Sequence, residues 1–258
     1  MSGKLINKTI FNNHKKSLLY CIFWSLLIAG MMVVTISMFP IVAKAVKGLP
    51  EEIKQYLSGM ENINNYFEAE ASELWVLFIC IYGAVLSFNM VTKELKGTAC
   101  EVVYTSPASR GEILRSKAIY VLINVTIANV FVAAFSYMSL CIWGDPFSLG
   151  NFFVYTLFAW LATLVVSYFA FGMCVFMGKK MSPLSIIAIL AFVYIMAMFS
   201  QNVQVLSYFT PLSAISGGIL INGFGGVQQY GIPLIIWMSA AVVINVLGFC
   251  KFKNSDIC

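Results

Sequence analysis

Charge is the scarcest commodity of this sequence. Only 10% of its 258 residues are Asp, Glu, Lys or Arg, 60% are hydrophobic, and the mean hydropathy is +0.86. Soluble domains carry about 25% charged residues. There is too little polar surface to coat a water-soluble globule, so the chain reads as one membrane domain with nothing soluble large enough to fold alone. There is a single histidine, His14. The chain has no HExxH motif, no paired aspartates and no Ser–His constellation, which excludes the common hydrolytic arrangements. The seven cysteines form no CxxC pair and none lies in the acidic loop. They suit small apolar packing roles, not a disulfide or metal framework. A P-loop needs GxxxxGK[ST], so that backbone N–H groups cradle phosphate and the hydroxyl holds magnesium. The nearest approach, Gly172 to Gly178-Lys179-Lys180, is one residue too long and lacks the hydroxyl. The chain is therefore expected to bind no cofactor and no metal of its own.

What is abundant is apolar length. Crossing the hydrocarbon core takes about 20 apolar residues. Six runs qualify, at 18–39, 74–91, 119–143, 152–177, 184–200 and 230–250. The first follows four lysines and precedes Ala43-Lys44-Ala45, which mimics a signal-peptide cleavage site. A signal core has about 7–15 residues, so this longer run is expected to be a retained first span.

The few charges orient the chain. With the N-terminus inside, Lys4, Lys8, Lys15 and Lys16, the five basic residues of 92–117, Lys179, Lys180, Lys251 and Lys253 all lie inside. Only Lys44, Lys47 and Lys54 lie outside, among six glutamates of the loop 40–73. The positive-inside rule selects this topology, with both termini cytosolic. It also accounts for the net charge of +5 without a nucleic-acid partner. Trp75, Trp143, Tyr155, Tyr208 and Tyr230 fall near outer span ends, where amphipathic rings are favoured. No ionisable residue falls mid-span, which argues against a proton-coupled carrier.

Three connecting regions carry more than topology. Residues 1–17 place Lys4, Lys8 and Lys15 on one helical face and Leu5, Ile6 and Ile10 on another, as an interfacial helix on anionic lipid would. In the outer loop, Leu49-Pro50-Glu51-Glu52-Ile53 reads as the start of a short external helix. Residues 201–229 hold no charge and are rich in glycine. Thr210-Pro211 is an N-cap and N1 pair, and the apolar run 212–221 is too short to cross. A re-entrant outer segment is expected there, with Pro211, Leu212 and Ile215 as a possible outer gate.

The most informative region is 92–117. It extends the second span with Lys93, Glu94 and Gly97, turns at Pro107, and restarts at Ser109-Arg110-Gly111-Glu112. That last tetrad matches a capping box, with Ser109 as N-cap and Glu112 at N3. The helix then runs through Lys117 into the third span. Two membrane helices can be joined by about 2–8 residues; a capped helical hairpin projecting into the cytosol suits docking to a partner.

Here the sequence resembles a family. Lys93-Glu94-x-x-Gly97-Thr98, Ser106-Pro107-x-Ser109-Arg110, Ile113 and Lys117 resemble the type-2 ABC transporter permeases, in particular the six-span bacterial drug, antibiotic and bacteriocin-immunity exporters. The outer loop, the re-entrant segment and the ending Phe252-Lys253-x-x-Asp256-Ile257 fit as well. Thr105 departs from the pattern, where a more apolar residue is expected. The resemblance implies an all-α polytopic protein of the bacterial plasma membrane, a single permease domain over 1–258 with a cytosolic coupling hairpin at 92–117. Lys93, Glu94, Gly97, Thr98, Pro107, Ser109, Arg110, Glu112 and Lys117 would couple to a separate ABC ATPase subunit holding ATP and Mg. A second permease half, a copy or a relative, would complete the pathway within the membrane lipid. Among polar residues of the spans, Asn89, Asn124, Asn129 and Ser136 are the first candidates for the path, and interhelical hydrogen bonding is their alternative role. A mostly apolar path implies hydrophobic or amphipathic cargo. Two other readings remain open: an ion-coupled secondary carrier, and a non-transporting immunity or scaffold subunit.

Overall fold

The computed structural model describes residues 2–50, 60, 62–97, 109–144, 148–200, 203–215, 219 and 223–254. Among them there is no strand. Six helical stretches are long and apolar enough to cross a membrane: Leu18–Lys47, Ser72–Lys96, Arg110–Trp143, Leu149–Lys180, Pro183–Ser200 and Gly231–Asn254. They contain the cores of all six expected spans. The helix of the third span starts nine residues earlier than its apolar run, because Ser109 caps it at Arg110. The first helix runs unbroken from Ser2 to Ser37, so the basic tail and the first span share one backbone helix. A short second piece, Phe39–Lys47, continues it, with Pro40 in its first turn.

The loop before the second span is more helical than its composition suggested. Asn62 caps a helical stretch at Ile63–Tyr66, accepting from the Asn64 N–H at 2.8 Å. A π-turn, Phe67–Ala71, leads directly into Ser72–Phe88. The Tyr66 hydroxyl donates to the Thr35 carbonyl at 2.9 Å and ties this stretch to the first span. Burial, with help from Glu70, pushes the Tyr66 hydroxyl above its ordinary pKa, so it remains a donor. The external helix start expected at 49–53 falls mostly outside the described residues.

The second and fourth spans form the centre. The fourth packs against the second, third and sixth, while the first packs chiefly on the third. The fifth touches only the second span and the turns that follow it in any extent. Without a hydrophobic drive in lipid, such packing depends on small residues and interhelical hydrogen bonds. Both are visible. A Cβ on Gly83 would fall on the Ser167 hydroxyl, and Ser87 Oγ donates to the Gly83 carbonyl at 2.8 Å and to Ser167 O at 3.2 Å. A Cβ on Gly172 would come within 2.8 Å of Ile244 Cγ2, and one on Gly248 within 3.1 Å of the Gly172 carbonyl. The second span thus meets the fourth with Ser167 seated on Gly83, and the fourth meets the sixth with backbone close to backbone at Gly172 and Gly248. Asn245 Nδ2 adds a bond to the Tyr168 carbonyl at 2.8 Å.

Outward faces are apolar. Leu19, Phe23, Leu26 and Val34 on the first span, and Ile235, Val242 and Val246 on the sixth, are exposed. Lipid is the solvent such faces need.

A candidate coupling hairpin and a cleft between the second and fifth spans

Most of the described lysines and arginines gather at one end of the bundle, and Glu68, Glu70 and Glu73 lie at the other with Lys44 and Lys47. The second span reaches the basic end through a π-turn, Asn89–Lys93, then one turn of helix, Glu94–Lys96, and stops at Gly97 in an extended conformation. The third span begins at Arg110 behind a complete capping box. Ser109 Oγ accepts from the Glu112 N–H at 3.2 Å, and Glu112 Oε2 accepts from the Ser109 N–H at 3.0 Å. The capping box expected at Ser109 and Glu112 is therefore formed. Thr98 and Pro107, expected at the tip, lie outside the described residues.

The charged residues of these legs have divergent surroundings. Lys93, Ser109 and Glu112 are exposed, and so is Gly97. Lys117 is not: its side chain is 2% exposed, and Nζ donates to the Met90 carbonyl at 2.6 Å and to the Glu94 carboxylate. Leu95, Ile113 and Leu114 are buried around the same level. Lys117 and Glu94 thus join the two legs to each other; Lys117 offers no surface to a partner. Arg110 Nη1 reaches the Lys253 carbonyl at 3.5 Å, at the end of the sixth span. Lys96 Nζ donates to the Met181 carbonyl at 2.7 Å, and Lys251 Nζ sits 4.3 Å from the centre of the Phe176 ring. Cations that the positive-inside rule places at this end also bind neighbouring helix ends together.

The polar residues of the spans divide in the same manner. Asn124 and Asn129 are fully enclosed by this chain. Asn124 Oδ1 accepts from the Tyr82 hydroxyl at 3.0 Å. Asn129 Oδ1 accepts from Trp75 Nε1 at 3.2 Å, while its Nδ2 donates to Thr163 Oγ1 at 3.0 Å. Ser136 is also buried. Asn124 and Asn129 join the second, third and fourth spans, whereas the Ser136 hydroxyl is buried without a hydrogen-bond partner among the described residues. Trp75 and Tyr155, expected at the membrane interface, sit in an aromatic cluster with Phe67 and Phe152, their mutual ring centres 6.0 Å apart. Charge-free packing at the centre of the bundle outcompetes the interface for them. Trp143 and Tyr208 remain exposed.

Asn89 alone of the four faces a cleft. Leu77, Ile81 and Val85 of the second span and Ile187, Leu190 and Tyr194 of the fifth enclose about 490 Å3, with Asn89 at the basic end. At the acidic end the same seam continues into a smaller pocket of about 130 Å3. Ser72, Glu73, Tyr194, Leu212, Ser213 and Ile215 contribute to its walls. Tyr194 lines both spaces. Two of the expected gate residues, Leu212 and Ile215, therefore cover the end of this seam, and Pro211 is buried beneath them. Thr210 Oγ1 accepts from the Leu212 N–H at 3.2 Å, the cap expected of Thr210-Pro211. The apolar run opens as a 3-10 turn, Pro211–Ala214, followed by extended Ile215. Beyond it, only Ile219 of the run is described. Ser213 Oγ fastens the turn to the Ser207 and Thr210 carbonyls at 2.8 and 2.9 Å. Gly223 enters the next turn at φ 56°, where a Cβ would stand 2.8 Å from Asn151 Oδ1. The Glu73 pocket was not foreseen, although Glu73 at the head of an apolar run was a readable signal.

Six apolar helices define a multi-pass membrane protein. The family model described as ABC-2 family transporter protein matches residues 11–257, and the chain belongs to that family. It is a membrane permease component of an ABC transporter, a class that works with an ABC ATPase partner and typically carries no ATPase site itself. Comparison with curated proteins gives no match.

Proposed function

We propose that this chain is one half of a bacterial plasma-membrane exporter that moves a hydrophobic or amphipathic cargo, of the drug or antimicrobial-peptide kind, out of the cell. ATP and Mg are bound and turned over on a separate subunit. The basic end is cytosolic, with both termini, and the legs ending at Gly97 and starting at Ser109 present the hairpin to the ATPase.

The cleft between the second and fifth spans carries this reading. Its walls are apolar apart from Asn89 and Tyr194, and it lies between the central second span and the fifth, the span least held by the rest of the chain. Apolar walls accept greasy cargo without the desolvation penalty that a charged wall imposes. The fifth span is free to move relative to the second. Leu212 and Ile215 close the acidic end of the seam, where an outer gate belongs. A second permease half, identical or related, would cover the exposed flanks of the fifth span.

The test is reconstitution with the ATPase subunit in vesicles, using a panel of amphipathic dyes. Ala191→Trp, which fills the cleft, is expected to abolish ATP-dependent dye movement while the ATPase still co-purifies. Movement driven by an ion gradient in the absence of ATP would instead establish the carrier reading. Binding of the ATPase without movement of any dye, with cleft and control variants alike, would favour the immunity or scaffold reading.

A further inference from the structure

The ion pair between the hairpin legs, buried at Lys117 and partly exposed at Glu94, has no counterpart in the needs of simple packing. Lys117 comes from the first turns of the third span, Glu94 from the last turn of the second. Around them Val91, Leu95, Ile113 and Leu114 are buried. An apolar pair would fill such a site with no desolvation cost, and replacing buried ion pairs by apolar residues is often neutral or stabilising. A charge pair adds direction instead. The ammonium satisfies both the Met90 carbonyl and the Glu94 carboxylate only when the two helices hold one register. The Met90 carbonyl belongs to the π-turn Asn89–Lys93, where the second span departs from regular α-geometry. Such turns mark places where a helix is locally rewound. Lys117 therefore holds the one irregular turn of that leg against the regular helix of the other. On the far side of this turn the second span forms one wall of the cleft, beginning with Asn89 and Phe88.

We propose that Lys117 and Glu94 are positioning residues that clamp the two legs of the hairpin into one rigid lever. A displacement applied at the tip is then delivered to the second and third spans together, and reaches the cleft wall without being absorbed in the π-turn. This rests on the permease reading above. It assigns the pair a role in transmission, distinct from contact with the ATPase and distinct from stability.

The two roles separate because both charges can be removed together. Removing one partner of a buried pair leaves the other uncompensated, whereas removing both leaves neither. The complex with its ATPase subunit is placed in lipid nanodiscs with Tyr194→Cys as reporter at the junction of the two pockets. Cys100, Cys141, Cys250 and Cys258 are replaced by Ser, and the buried Cys21, Cys80 and Cys174 are kept. Labelling by a water-soluble maleimide is timed with and without ATP and vanadate. With Lys117 and Glu94 present, nucleotide is expected to change the labelling rate about tenfold, within the usual range of allosteric coupling. In Lys117→Met/Glu94→Gln the melting temperature and ATPase co-purification are expected to persist while the nucleotide response disappears. A stable, ATPase-bound double variant that responds like the parent overturns the clamp. A parent complex with no response to nucleotide overturns the permease reading and the clamp with it. Should that double variant fail to reach the membrane, Lys117→Gln/Glu94→Gln, which also leaves neither charge uncompensated, is read by the same two outcomes.

Discussion

Single residues at the helix crossings carry the sharpest consequences. Gly83 has no room for a side chain against Ser167. Gly83→Val is expected to destabilise the subunit by about 2 kcal/mol, the usual cost of overpacking, read as a lower midpoint in detergent unfolding. Asn129→Leu leaves the Trp75 indole N–H buried with its acceptor gone. A loss of about 2 kcal/mol is expected, as for other orphaned buried donors. Trp75→Phe in the same background should recover most of it, since no donor then remains; failure of the double variant to recover would show that shape, not the hydrogen bond, dominates at this site. The roles of Asn124 and Asn129 were legible only as two alternatives, because sequence gives a residue's depth along a helix far better than the direction it faces. Lys117 illustrates the opposite error. A lysine near a span end reads as solvated, and nothing in the pattern announces that its partner is Glu94, 23 positions away.

At the scale of elements, the apolar runs located every span, and span ends shifted where polar chemistry extends a helix past its apolar core. The capping box at Ser109 is such a case, and it was read correctly from four letters. Ser109→Ala is expected to cost about 1 kcal/mol locally. Hydrogen exchange should show this as faster exchange at Arg110 to Ile113 with the rest of the third span unchanged; a uniform increase along the span would mean the cap supports more than its own turn. The segment after the fifth span was legible as irregular from its glycines. Its fold into successive 3-10 turns was not, because those turns are held by Ser213 and by the packing of Gly223 on Asn151. Both are tertiary facts.

For the whole molecule, the distribution of charge was the most dependable guide. It separated a basic end from an acidic end, and the structure keeps them apart. What composition did not disclose is that several of those cations bind helix ends together, as Lys96, Arg110 and Lys251 do. The same distribution has an electrical consequence. The seam between the second and fifth spans is lined by uncharged residues from Asn89 up to Glu73, and the Lys117–Glu94 ion pair is neutral as a unit. Moving one elementary charge through the full membrane field is worth about 2.3 kcal/mol per 100 mV. Rearrangement of this subunit carries almost no charge through that field. The ATP turnover of the assembled transporter in vesicles is therefore expected to be indifferent to an imposed membrane potential. Any current that accompanies turnover would report the charge of the cargo itself.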